Sequence, residues 1–406
     1  MNARRVQVPS LLGDPGIRRV RTPERRFLFA PPVDGPITSS VAVAAELARR
    51  GHKVAWTGHR PSLESRLRHG SRVFGAVEED FEKRMHGVRR DWLDLRGLAA
   101  LRFRWEEFLV PLGHAMMPGV EKAVDRFRPD VVIADQYAFA APVAARRRGI
   151  PWATSAATSA EFARPLAAMP EAEEWVRDQI AGFQLDHGID DLLDLRFSDH
   201  LVLVFSPGAL IGDISFFPDH FAFVGPAPGR AAPRAFPWDR LDGRPAALIT
   251  LGATNSPSAD RFLNVAAEAA RDMDFQAIIA APQGVVADPP PNVLVREQVP
   301  QDKLLEQVSA VVCHGAHDIV CASLSHGVPL VVSPVLDDQP TVARQVEAAG
   351  VGITVGHTSA RPDELRTALA TVLADGPHRA AAERVRDSIA SAGGAAEAAD
   401  RLEKLA

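Results

Sequence analysis

Two cysteines in 406 residues cannot build the disulfide framework of a small secreted domain. Cys313 and Cys321 both fall in segments that read as buried, so they are expected to be small core residues in a reducing compartment. The chain also lacks any apolar run long enough to cross a membrane. No apolar core of signal-peptide length follows the N-terminal arginines, and a cytoplasmic protein is expected. The net charge of −5 gives no reason to expect nucleic acid, whose binders carry clustered positive charge. Thirteen histidines are scattered rather than gathered, and His314 with His317 alone would make a poor metal site. The turn 32–36, Pro-Val-Asp-Gly-Pro, lacks the glycine-rich pattern a dinucleotide-dependent dehydrogenase needs after its first strand. No metal and no dinucleotide cofactor are therefore expected.

What is there fits a two-domain globular protein, with 46% hydrophobic and 24% charged residues in a chain too long for one ordinary core. Residues 1–26 form an arginine-rich arm, read as a solvated and poorly ordered extension. Short apolar runs at 27–31, 53–56, 131–134, 152–154, 201–205 and 222–224 alternate with helical patterns, as parallel α/β sheets do. A second set stands at 246–251, 277–280, 293–295, 310–313, 330–333 and 352–355. Proline and glycine between 226 and 245 mark a linker. The expected fold is α/β: two Rossmann-like, doubly wound domains, 27–225 and 246–406, facing across a cleft at the carboxyl ends of their strands. Residues 62–117 and 161–199 fit neither sheet; they mix charges with Trp92, Phe103, Trp105, Phe108, Phe162, Trp175 and Phe183.

Residues 311–346 carry the most information. A buried strand ends at Cys313, His314-Gly315 turns the chain out, and a helical stretch runs over 318–325 to Gly327. Free backbone N–H groups and the helix dipole then converge on one spot, a natural seat for an anion. A second strand, 328–333, leads into a loop holding Asp337, Asp338 and Gln339, which suit sugar hydroxyls. An anion seat beside a hydroxyl-binding loop suggests a nucleotide sugar.

The order His-Gly, helix, Gly-Val-Pro, apolar strand, Pro, Asp-Gln-Pro, Ala-Arg resembles the donor-binding signature of inverting, nucleotide-sugar-dependent glycosyltransferases with the GT-B fold, above all bacterial enzymes that glycosylate small natural products. Val299-Pro300-Gln301, Thr250-Leu251-Gly252 and the stretch Glu46 to His52 match as well, and the likeness covers most of 27–400. It implies an acceptor site on the first half and a donor site on the second. His314 and Gly315 would hold the diphosphate, Asp338 and Gln339 the sugar. Gly252 would let the backbone approach a phosphate, and Gln298, Val299 and Gln301 would lie on the nucleoside side. The aromatic insertions would shape the acceptor pocket. A homodimer stays open.

Departures from the pattern are specific. Ala316, Asp318 and Ile319 replace a glycine, an Asn or Gly, and a hydroxyl residue. Asp318 either caps its helix or opposes the diphosphate, at a cost of about 4 kcal/mol for charges about 4 Å apart at an effective dielectric of about 20. Gln298 stands where an aromatic usually stacks on the base. Ala322 replaces a glutamate that holds both ribose hydroxyls, which favours a dTDP-sugar over a UDP-sugar. Pro36 stands where the family places its catalytic histidine, while Asp135 matches that histidine's partner. Three readings follow: Asp135, helped by Asp34, is the base; the acceptor needs little deprotonation; or the protein is a catalytically silent homologue serving as a binding or auxiliary partner. A sugar-nucleotide epimerase of the same fold would need no acceptor pocket. The reading adopted is an inverting, metal-independent transfer from a dTDP- or UDP-sugar to a small, partly apolar natural-product acceptor.

Overall fold

The computed structural model describes residues 23–32, 35, 37–77, 95, 97–229, 234–252 and 256–406. Seven strands make the first sheet: β1 (Arg26–Ala30), β2 (Lys53–Gly58), β3 (Val73–Gly75), β4 (Val131–Asp135), β5 (Trp152–Ala156), β6 (Leu201–Val204) and β7 (Phe221–Phe223). Six make the second: β8 (Ala246–Thr250), β9 (Gln276–Ala280), β10 (Val293–Arg296), β11 (Ala310–Cys313), β12 (Leu330–Val332) and β13 (Gly352–Thr354). Every pairing in both sheets is parallel. Parallel strands are covered on both faces, which is why these runs are apolar throughout rather than alternating. All five residues of β4 are buried, as are all of β8.

The strand orders are β3-β2-β1-β4-β5-β6-β7 and β10-β9-β8-β11-β12-β13. Each sheet reverses its winding between two central strands, β1 and β4 in one, β8 and β11 in the other. Connections leave those strands in opposite directions and open a crevice at their carboxyl ends. Asp135 closes β4, and His314 follows directly on β11. Topology therefore sets both residues at the two crevices.

Three expected boundaries shift. Arg26, assigned to the arm, opens β1, where its N–H donates to Asp130 at 2.7 Å. Within 62–117, the short run Val73–Gly75 pairs with β2 and extends the first sheet. The last helix, Gly394–Leu405, returns to the first domain: Ala398, Ala399 and Leu402 are fully buried among Phe27, Leu47 and Leu201. His52, buried in the turn before β2, faces Glu403 at 2.7 Å, and Arg50 pairs with Glu403 at 2.8 Å. A helical pattern states which face is apolar but not which distant sheet will cover it. In the linker, Phe236 is buried in the second core. Among the described residues, no helix is long and apolar enough to cross a membrane.

Candidate functional site

On the second domain, β8, β9 and the loop after β10 enclose a cavity of about 470 Å³. Gly252, Gln298, Val299 and Gln301 line it together with Thr250 and Arg234. Gly252 has φ +63°, and a Cβ there would stand 3.1 Å from His314 Cε1, so a side chain would be strained and would press on the imidazole. His314 is buried, its Nδ1 has no hydrogen-bond partner, and burial lowers its pKa below the usual value, with Asp318 opposing that shift. The ring is therefore neutral at pH 7. Gly315 has φ +87°, and a Cβ on it would meet Val332 Cγ1 at 2.7 Å. The turn out of β11 is tight enough to need glycine on both counts.

A second cavity, about 340 Å³, lies between the domains. Asp135, Glu161, Arg104 and Trp105 line it from the first domain, and His317, Asp318 and Asp338 from the second. Asp135 is 7% exposed; its Oδ1 accepts the Tyr137 N–H at 3.1 Å. Burial pushes its pKa up to about 6, against that hydrogen bond. Asp338 is likewise pushed to about 6, first by burial and then by the Asp337 charge. Tyr137 donates its hydroxyl to Glu161 at 2.5 Å and is held well above the ordinary phenol range, by burial and by the Glu161 charge. Glu161 in turn pairs with Arg196 at 2.8 Å. Arg104 begins a π-helical turn, Arg104–Leu109, a widening often found at functional sites. From there it sits 4.6 Å over the Tyr137 ring and pairs with Asp337 at 2.5 Å.

The expected site residues thus fall into two neighbouring groups. Gly252 joins the nucleoside-side residues to His314, while Asp135, Asp318 and Asp338 share the interdomain cavity. Asp34 and Pro36 lie outside the described residues. Two expected roles change. Gln339 is buried, and its Oε1 accepts the Val335 and Leu336 N–H groups at 2.9 and 3.2 Å, so it holds its own loop instead of offering that oxygen to a sugar. Asp318 is not the helix cap: Ala316 holds that position, and Asp318 Oδ1 accepts the Ile319 N–H at 2.8 Å while the residue opens on the interdomain cavity. Of the insertion aromatics, Trp105 lines that cavity, whereas Phe183 is core beneath it.

With two doubly wound domains and a cleft between them, kinship can be compared. The family described as Erythromycin biosynthesis protein CIII-like, C-terminal domain, matches residues 264–405. The chain is 27% identical to 4'-demethylrebeccamycin synthase of Lentzea aerocolonigenes, over 94% of this chain and 99% of that one. It is also 27% identical to demethyllactenocin mycarosyltransferase of Streptomyces fradiae, over 93% and 85%. Among solved structures, the calicheamicin glycosyltransferase CalG4 superposes with a TM-score of 0.77 at 24% identity, covering 94% of this chain and 98% of that one. Glycosyltransferase VinC in complex with dTDP gives 0.70 at 22%, covering 94% and 99%.

The chain has the GT-B fold, and relatives that span nearly all of it are named as glycosyltransferases. Its curated relatives are named as enzymes, so the silent-partner reading is not favoured. In this chain, several site residues carry no local sequence signal. His317 is buried with Nε2 2.5 Å from Ser206 Oγ of the first domain, and burial lowers its pKa to about 4. Thr158 donates to Asp338 at 2.5 Å, and Ser159 bonds Gln345. Arg234, from the linker, donates to Gln298 on the rim of the nucleoside-side cavity. These partners lie 64 to 186 residues apart in sequence. Among the described residues, no three His, Cys, Asp or Glu side chains gather as a metal site.

Proposed function

We propose that this protein moves a sugar with inversion, and without a metal, from a dTDP- or UDP-linked donor to a small, partly apolar natural-product acceptor. The nucleoside occupies the cavity beside Gln298, Val299 and Gln301. The diphosphate lies at Gly252, His314 and Gly315, where the backbone N–H groups and the neutral imidazole donate to it. Asp318 opens on the interdomain cavity, and its charge favours the protonated form of the His314 imidazole beside the phosphates. The sugar extends toward Asp338, and the acceptor fills the interdomain cavity.

Asp135 then accepts the acceptor's proton. The acceptor's nucleophilic atom bonds to the anomeric carbon as the carbon–diphosphate oxygen bond breaks. The diphosphate leaves with that electron pair, and attack from the opposite face inverts the centre. The observation carrying this reading is Asp135 itself: a nearly buried carboxylate in the interdomain cavity, with a pKa raised to about 6. A base tuned close to the working pH combines the ionised state with real proton affinity. Ala322 supplies no carboxylate for the ribose, which supports dTDP over UDP.

Thermal-shift titration with dTDP, UDP, GDP and ADP tests the donor assignment, because a ligand that binds the folded state raises its stability by mass action. The largest shift is expected with dTDP, a smaller one with UDP, and turnover should survive a chelator. A folded protein that none of the four nucleotides shifts would defeat the donor reading.

A further inference from the structure

A smaller cavity of about 210 Å³ adjoins the interdomain one, and Glu161, Pro165, Leu166 and Arg196 line both. Five phenylalanines, Phe162, Phe197, Phe216, Phe217 and Phe221, make its apolar wall, and Arg164, Glu173, Arg177 and Asp194 complete its lining. Ring centroids stand 5.3 Å apart for Phe217 and Phe221, and 5.8 Å for Phe162 and Phe217. Rings at this spacing pack edge-on and tilted against one another, and their cavity-facing edges and faces can contact a further flat ring. Phe216 stacks on Phe217 at 4.6 Å yet is 70% exposed, the highest of the exposed large apolar side chains among the described residues. An ordinary satellite core would bury such a ring. At the junction of the two cavities, the Glu161–Arg196 pair presents a carboxylate and a guanidinium.

We propose that this phenylalanine pocket is a second acceptor subsite that seats a flat aromatic arm remote from the nucleophile. The inference rests on the acceptor reading of the larger cavity and adds a substrate class to it. The acceptor is elongated: one end presents its nucleophile to Asp135, the segment between passes the Glu161–Arg196 pair, and an aromatic end enters among the phenylalanines. Continuity of the two cavities through four shared residues selects this occupant over a side chain from a second copy of the chain.

Phenol and biphenyl-4-ol separate the two claims, with binding to the full-length protein measured by ligand-observed NMR or calorimetry. Biphenyl-4-ol should bind about tenfold more tightly than phenol, since its second ring is buried. Phe217→Ala should remove most of that gain and leave phenol unchanged. Phe216→Ala, at an exposed position that does not endanger folding, should reduce the gain severalfold. Phenol bound with no advantage for biphenyl-4-ol overturns the subsite alone. Neither ligand bound overturns the acceptor reading with it. An advantage untouched by both substitutions, or a Phe216→Ala protein that merely turns from dimer to monomer, also overturns the subsite.

Discussion

The two domains share a winding order around their central strands yet build their sites by different means. In the second, the site consists of turns: Gly252 and Gly315 take positive φ so that backbone and imidazole come close. In the first, it consists of side chains that meet across the fold: Asp135, Tyr137, Glu161, Arg196 and Arg104, the last reaching to Asp337. A phosphate seat of backbone N–H groups needs a strand, a glycine turn and a helix in immediate succession, so its signature is local. A pocket that must match one acceptor draws on residues far apart, and its signature is dispersed.

The contrast can be tested from both sides. The largest effect is expected at Asp135. Asp135→Asn should cut turnover roughly 10²–10⁴-fold while the thermal shift with dTDP is kept. In the wild type, turnover should fall as pH drops through about 6, because the protonated carboxyl cannot take the acceptor's proton. The mirror experiment is Gly315→Ala. Its Cβ would press on Val332 at 2.7 Å in a left-handed backbone, at a cost of about 1–3 kcal/mol. Affinity for dTDP should drop at least roughly tenfold, with phenol binding in the other domain unchanged.

A contact joining the two sides should matter less. Thr158→Val removes the hydroxyl donated to Asp338, a bond that holds that carboxyl's pKa down against burial. Asp338 should become harder to ionise, and a loss in kcat/KM of roughly two- to tenfold is expected, growing as pH falls. The smallest effect lies at the returning helix. Glu403→Gln weakens its contacts with Arg50 and His52 and should lower the Tm by about 2–4 °C, with turnover at 25 °C unchanged.

What could be read in the sequence follows the same division. Apolar runs bounded by glycine and proline announced both parallel sheets, since strands buried on both faces leave no alternation to misread. His314-Gly315 and Gly252 were legible because turn chemistry is local. The loop-closing bonds of Gln339 were not legible, because nothing local shows that its side-chain oxygen accepts from its own loop. His317 was weighed only as a metal ligand and Thr158 not at all, because their partners, Ser206 and Asp338, belong to the opposite domain. The strand Val73–Gly75 was missed for brevity: three residues carry almost no periodic signal.

The central claim is that the Asp135 carboxylate takes the acceptor's proton. Sugar transfer by Asp135→Asn to phenol and to 4-nitrophenol, a far more acidic phenol that is substantially ionised near neutral pH, tests it most directly. Loss of transfer to phenol with transfer to 4-nitrophenol kept within about tenfold of wild type is the predicted result. Equal loss with both acceptors, or full activity with phenol, would contradict it: the first would make Asp135 a positioning residue, and the second would remove it from the mechanism.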